Sequence, residues 1–158
     1  MAMNTQQKRM VNRLQSNLYT IRQLAGWSAD DLGELLDLTK QTIYNLERGK
    51  PKMSLVQYLA IRTIIDDEIC RQPDNKALSS AVALLLDDEE LSDKEYDELQ
   101  LSLKTITKGM ARTTDREIAL KLAMTTVSAV ASFMAISTAS GVGNWLTALR
   151  EIADAKGK

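Results

Sequence analysis

Apolar positions recur at helical spacing through most of the chain. Leu14, Leu18, Ile21 and Ala25 fall at 4-3-4 intervals and predict one amphipathic helix over 6–25. Gly26 closes it where a C′ glycine belongs. Ser28 then predicts an N-cap for a short helix through Leu36. Asp30 and Asp31 sit in its first turn, where carboxylates complement the helix dipole, and Trp27 and Leu32 occupy the two positions of a hydrophobic staple. Asp37-Leu38-Thr39 forms a turn into a third short helix that ends at Arg48-Gly49. Lys50-Pro51-Lys52 makes a basic loop, and Ser54 caps a longer helix to about Arg71. That helix is expected to set Leu55, Leu59, Ile61 (or Arg62), Ile65 and Ile69 on one side. Gln72-Pro73-Asp74 predicts a linker.

Beyond it, 76–86 predicts a helix carrying Leu78, Val82 and Leu85, followed by an acidic break at 87–90. Ser92 and Glu95 form a capping box, with Leu91 and Tyr96 as its staple, and open a helix to about Met110 through Leu99, Leu103 and Ile106. Thr114 and Glu117 form a second box. From Ile118 to Ser140 the chain is apolar almost all round: one stripe runs Ile118, Leu122, Thr125, Ala129, Phe133, Ile136, another Leu120, Met124, Val127, Ala131, Met134. Gly141 and Gly143 break the run, and Trp145, Leu149 and Ile152 mark a short terminal helix. No strand is predicted; the fold class is all-α, with an N-terminal domain over 6–72 and a helical C-terminal domain over 74–158.

Composition excludes more than it reveals. With no histidine and one cysteine, Cys70, there is no disulfide framework, no Cys/His metal site and no imidazole chemistry. Cys70, near the end of an amphipathic helix, is expected to be packed. The acids of 87–98 are expected to form a solvated face, and no nucleophile–base constellation is visible. An enzyme is therefore not expected, nor any cofactor. Residues 1–11 are polar and show no apolar stretch of a secretory signal, so a cytoplasmic location is expected. Charge is asymmetric under a formal net of −1. Residues 1–62 carry nine Lys/Arg against five Asp/Glu, whereas 74–98 carry nine acids against two lysines. A basic head on an acidic body points to an anionic partner for the head.

The helix–turn–helix spacing of 28–48 is that of a DNA-reading motif. Leu32, Leu36, Leu38, Ile43 and Leu46 fall where such a motif needs buried residues, and Gly33 where its two helices approach most closely. The strings Ile21-Arg-Gln, Trp27-Ser-Ala-Asp-Asp-Leu-Gly-Glu-Leu-Leu and Leu38-Thr-Lys-Gln-Thr-Ile-Tyr-Asn-Leu-Glu-Arg-Gly-Lys50 make 14–62 resemble the helix-turn-helix domain of the phage-repressor (Cro/C1, Xre-type) family. The resemblance implies that Thr39 caps the recognition helix while Lys40, Gln41, Thr42 and Asn45 face the major groove. Gln41 and Asn45 suit an adenine edge, and Lys40 a guanine. Tyr44, Arg48, Lys50 and Lys52, with Thr39, are expected on the DNA backbone, as are Arg9 and Arg13. It also implies an ion pair between Arg22 and Glu47. The sequence departs from the family at Asp37, where a glycine is usual, and at Ala29, where a phosphate-binding glutamine is frequent.

A head of this kind is expected to act as a dimer on a palindromic site, two recognition helices one DNA turn apart. The candidate interface is Leu122, Val127, Val130, Phe133, Met134, Ile136 and Trp145. The same segment reads equally as a core helix. A membrane span over 122–146 is the less favoured alternative, because Ser/Thr and glycine dilute it. The functional expectation is a transcriptional regulator, a repressor by default, with double-stranded DNA as partner. The alternative is an antitoxin-type protein whose C-terminal half binds a partner protein.

Overall fold

The computed structural model describes residues 2–111, and every regular element among them is a helix. In chain order these are α1 (Thr5–Ala25), α2 (Ala29–Leu36), α3 (Lys40–Glu47), α4 (Leu55–Arg71), α5 (Lys76–Val82), which runs on into a π-helical turn (Ala83–Asp87), and α6 (Asp93–Ala111).

Short polar side chains begin these helices by satisfying backbone N–H groups that have no intrahelical acceptor. Asn4 accepts from the Gln7 amide, Ser28 from Asp31, Thr39 from Thr42 and Ser54 from Gln57. At Asn4, Ser28 and Ser54 the third helical residue reaches back to the cap, completing a capping box; Ser92 and Glu95 do the same ahead of α6. The ends are as local as the starts. Gly26 terminates α1 in the left-handed region, and Asp37 terminates α2 there at φ 56°.

α1 is the spine of the core. Its Val11, Leu14, Leu18, Ile21 and Leu24 are almost wholly buried and meet Leu32 of α2, Ile43 and Leu46 of α3, and Ile61 and Ile65 of α4 in one cluster. Ala77, Leu78, Ala81, Val82, Leu85, Leu99 and Leu103 belong to that same cluster. The expected linker at 72–74 is therefore a tight surface turn between helices that share one continuous core. Gln72 and Asn75 donate from their side chains to the carbonyls of Ala25 and Leu24 at the end of α1. Pro73 breaks the helix without separating what lies on its two sides.

α6 also joins α1 through buried polar groups. Asn17 donates to the Tyr96 hydroxyl (2.7 Å) and accepts from Gln100 (3.1 Å); burial pushes the Tyr96 phenol above its ordinary range. No buried side-chain polar atom among the described residues lacks a partner, as the cost of burying one requires.

Two expectations about side-chain burial need correction. In α4 the buried side is Tyr58, Ile61 and Ile65; Leu59 is 55% exposed, so it does not share their face. Cys70 is exposed rather than packed. None of the acids of 87–98 is buried; exposed Asp87 is held by Arg62 with two parallel bonds of 2.8 Å, and the Asp88 backbone carbonyl accepts from Arg13. The proposed interface residues Leu122, Val127, Val130, Phe133, Met134, Ile136 and Trp145 lie outside the described residues, as does the second capping box.

Candidate nucleic-acid interface

α2, the turn and α3 form a helix-turn-helix whose tightness rests on two residues. Asp37 takes the left-handed conformation that a glycine would otherwise supply, at a cost that Asp tolerates better than most. Gly33 admits the turn. Its carbonyl accepts from the Leu38 amide at 2.8 Å, and a Cβ at position 33 would stand 2.5 Å from the Leu38 carbonyl oxygen. A side chain there would push the turn away from α2. Thr39 then starts α3, its hydroxyl bonded to both the amide and the hydroxyl of Thr42.

Ile43 and Leu46 pin one side of α3 into the core, and the opposite side stays open. Lys40 and Gln41 are exposed, Thr42 and Asn45 half-buried; the four expected base-reading residues share one short helix. Gln41 donates to the Asn45 side chain at 3.1 Å, so the two amides are already held edge to edge. Lys40 is tethered as well, 3.7 Å from Asp30 in the first turn of α2. Tyr44 is half-buried against the core and so lies on the flank of α3.

Past α3, Gly49 adopts φ 78°, a conformation that L side chains resist, and turns the chain into the exposed run Lys50-Pro51-Lys52. With Arg48 this loop places three exposed cations beside the reading helix. Arg9 is exposed on α1. Arg13 is differently employed: it donates to the Asp88 carbonyl at 2.6 Å and stacks its guanidinium 4.6 Å from the Tyr96 ring centroid. The expected phosphate contact from Arg13 is therefore dropped, since its charge already ties α1 to the second half of the chain.

Two buried devices hold this surface. Arg22 and Glu47, with side chains 5% and 8% exposed, pair through two nitrogens and both carboxylate oxygens. Arg22 also donates to the Trp27 carbonyl and lies over the Tyr19 ring. The ion pair implied by the resemblance is thus present, and it fastens α1 to the last residue of α3.

The second device was not visible in the sequence. Gln15, buried on α1, donates to the carbonyls of Leu46 (3.0 Å) and Pro51 (2.8 Å) and accepts from the Met53 amide (2.8 Å). One side chain closes the backbone of the whole basic loop. A glutamine between Leu14 and Leu18 looks like the polar edge of an amphipathic helix; only its place on the apolar side hinted otherwise. Gln15→Leu should cost about 2 kcal/mol, because it strands buried backbone groups without partners. A denaturant midpoint equal to that of the parent chain would show that water replaces the clamp freely.

Together, a capped and immobilised α3, an open face of amides and an adjoining basic loop define a DNA-binding helix-turn-helix of the transcription-regulator type. Residues 18–60 match a family model described as helix-turn-helix, so this segment is similar to the phage-repressor-like, Xre-type domains. No curated protein and no solved structure matches the chain. Among the described residues no helix is long and apolar enough to cross a membrane, and no acidic or cysteine cluster could hold a metal ion.

Proposed function

We propose that the chain is a sequence-specific transcriptional regulator that binds a palindromic operator as a dimer and represses by occupying it. Gln41 and Asn45 read base edges with Lys40 and Thr42. Thr39, Tyr44, Arg48, Lys50 and Lys52 fix the register on the phosphates, and Arg9 adds charge from α1. The observation that carries this reading is the Gln41–Asn45 bond on the open side of α3. Two side-chain amides held together in advance lose little freedom on meeting an adenine, and they have no part in the core. One head of this size reads few bases. A second head one helical turn away, ~34 Å, supplies the missing discrimination. Self-association through the apolar run 118–140 is the proposed source of that second head, in a cytoplasmic protein.

The test is binding of the full chain to the DNA upstream of its own reading frame against a scrambled duplex, at two salt concentrations, with Gln41→Ala alongside. Loss of a bidentate base contact is worth about 1–3 kcal/mol, so Gln41→Ala should weaken the matched site by roughly 5- to 150-fold and leave the scrambled duplex nearly unchanged. Equal, salt-sensitive binding of both duplexes by the parent chain would reduce the interface to phosphate contacts and end the claim of sequence specificity.

A further inference from the structure

The carboxylate of Asp30 has no role in the folding of α2 beyond its favourable place in the first turn. Ser28 and Asp31 form the capping box without it. It stands instead at the N-terminal edge of α2, 3.7 Å from the ammonium of Lys40, and both side chains are more than half exposed. Such a pair contributes little stability. Its position matters more, because Lys40 is the first residue of the reading helix.

We propose that Asp30 is a specificity-determining residue of the DNA-reading face, acting through Lys40 to weaken binding to DNA in general more than binding to a matched site. The inference rests on the reading of α3 as the recognition helix. Whatever acceptor Lys40 touches lies about 3 Å from its nitrogen, and so within about 7 Å of the Asp30 carboxylate, inside the Debye length at physiological salt. Asp30 therefore acts on every DNA contact that Lys40 makes.

The effect differs between DNAs. On unmatched DNA Lys40 offers a diffuse charge to the phosphates, and Asp30 cancels it. On a matched site Lys40 donates to a guanine edge. An ammonium has three donors, so it can keep its carboxylate while it makes that directed bond. Asp30 also narrows the directions in which the flexible lysine can point. Removing the carboxylate frees the charge for any phosphate and loosens the aim.

Asp30→Asn keeps the size and polarity of the side chain and leaves the capping box in place. In the full chain it should tighten binding to a scrambled duplex by about three- to tenfold while changing the matched site by less than about twofold, so the ratio of the two affinities falls. In a Lys40→Gln background the same substitution should leave the ratio unaltered. An equal gain on both duplexes, no gain on either, or a fall in the ratio that survives Lys40→Gln would each overturn the proposal. Where the parent chain distinguishes the duplexes and Asp30→Asn does nothing, only the role of Asp30 fails; where the parent chain distinguishes nothing, the recognition helix itself fails, and Asp30 with it.

Discussion

Glu47→Ala is expected to lower the stability of the described unit by about 3–5 kcal/mol, a large part of what a domain of this size possesses. The loss does not measure the attraction between two charges. Arg22 is 5% exposed; its Nη1 keeps the Trp27 carbonyl and its face keeps Tyr19, but its Nε and Nη2 would lose both acceptors in a place water hardly reaches. An uncompensated buried guanidinium is the main cost. For that reason Arg22→Met with Glu47→Leu, which removes both charges and refills the space, should cost much less than Glu47→Ala alone. Chemical denaturation of the three proteins checks this. If the double variant is the least stable, the pair contributes by net attraction and the desolvation account is wrong.

Gly33→Val should be nearly as damaging, at about 3 kcal/mol, and through backbone rather than charge. The atom that its Cβ would meet at 2.5 Å is a main-chain oxygen, which cannot swing aside as a long side chain can. The turn would have to move outward, stretching the bond from the Leu38 amide to the Gly33 carbonyl and the entry of α3 behind it. Amide exchange should therefore accelerate first at Leu38 and then along Lys40–Glu47, with the melting temperature falling in parallel. A melting temperature unchanged by valine would mean that the two helices have slack at their crossing.

Much of the head was legible because its determinants are local. Ser28, Thr39, Ser54 and Ser92 each cap the helix that follows within three residues, and Asp37 turns left-handed where the spacing demands it. What escaped were bonds that span long stretches of chain. Gln15 clamps carbonyls 31 and 36 residues away, and Arg13 finds the Asp88 carbonyl across 75. Neither partner can be named from the residues beside it, although the place of Gln15 on the apolar side of α1 hints that it is buried. The register of α4 was misread for another reason. Val56, Leu59, Ile61, Ile64, Ile65 and Ile69 put apolar groups on nearly every side, so periodicity alone cannot say which side faces inward. Proline at 73 was ambiguous in kind: it stops a helix in a tight turn and in a loose tether alike. Of the site, the positions on α3 and the Arg22–Glu47 pair followed from the family resemblance, whereas the tether from Asp30 to Lys40 had no sequence signature.

The sharing of α1 between the recognition motif and helices α5 and α6 bears on how the protein can be dissected. The matched segment 18–60 omits Val11 and Leu14 from the spine, and a cut after residue 72 would strip away Leu78, Leu85, Leu99 and Leu103, leaving oily surface where α1 now has neighbours. A piece grafted onto another protein or labelled for spectroscopy therefore has to keep α1 whole together with α5 and α6. The same helix that Tyr96 and Gln100 of α6 grip at Asn17 holds the end of the reading helix through Gln15 and Arg22, so the two ends of the described chain share one support.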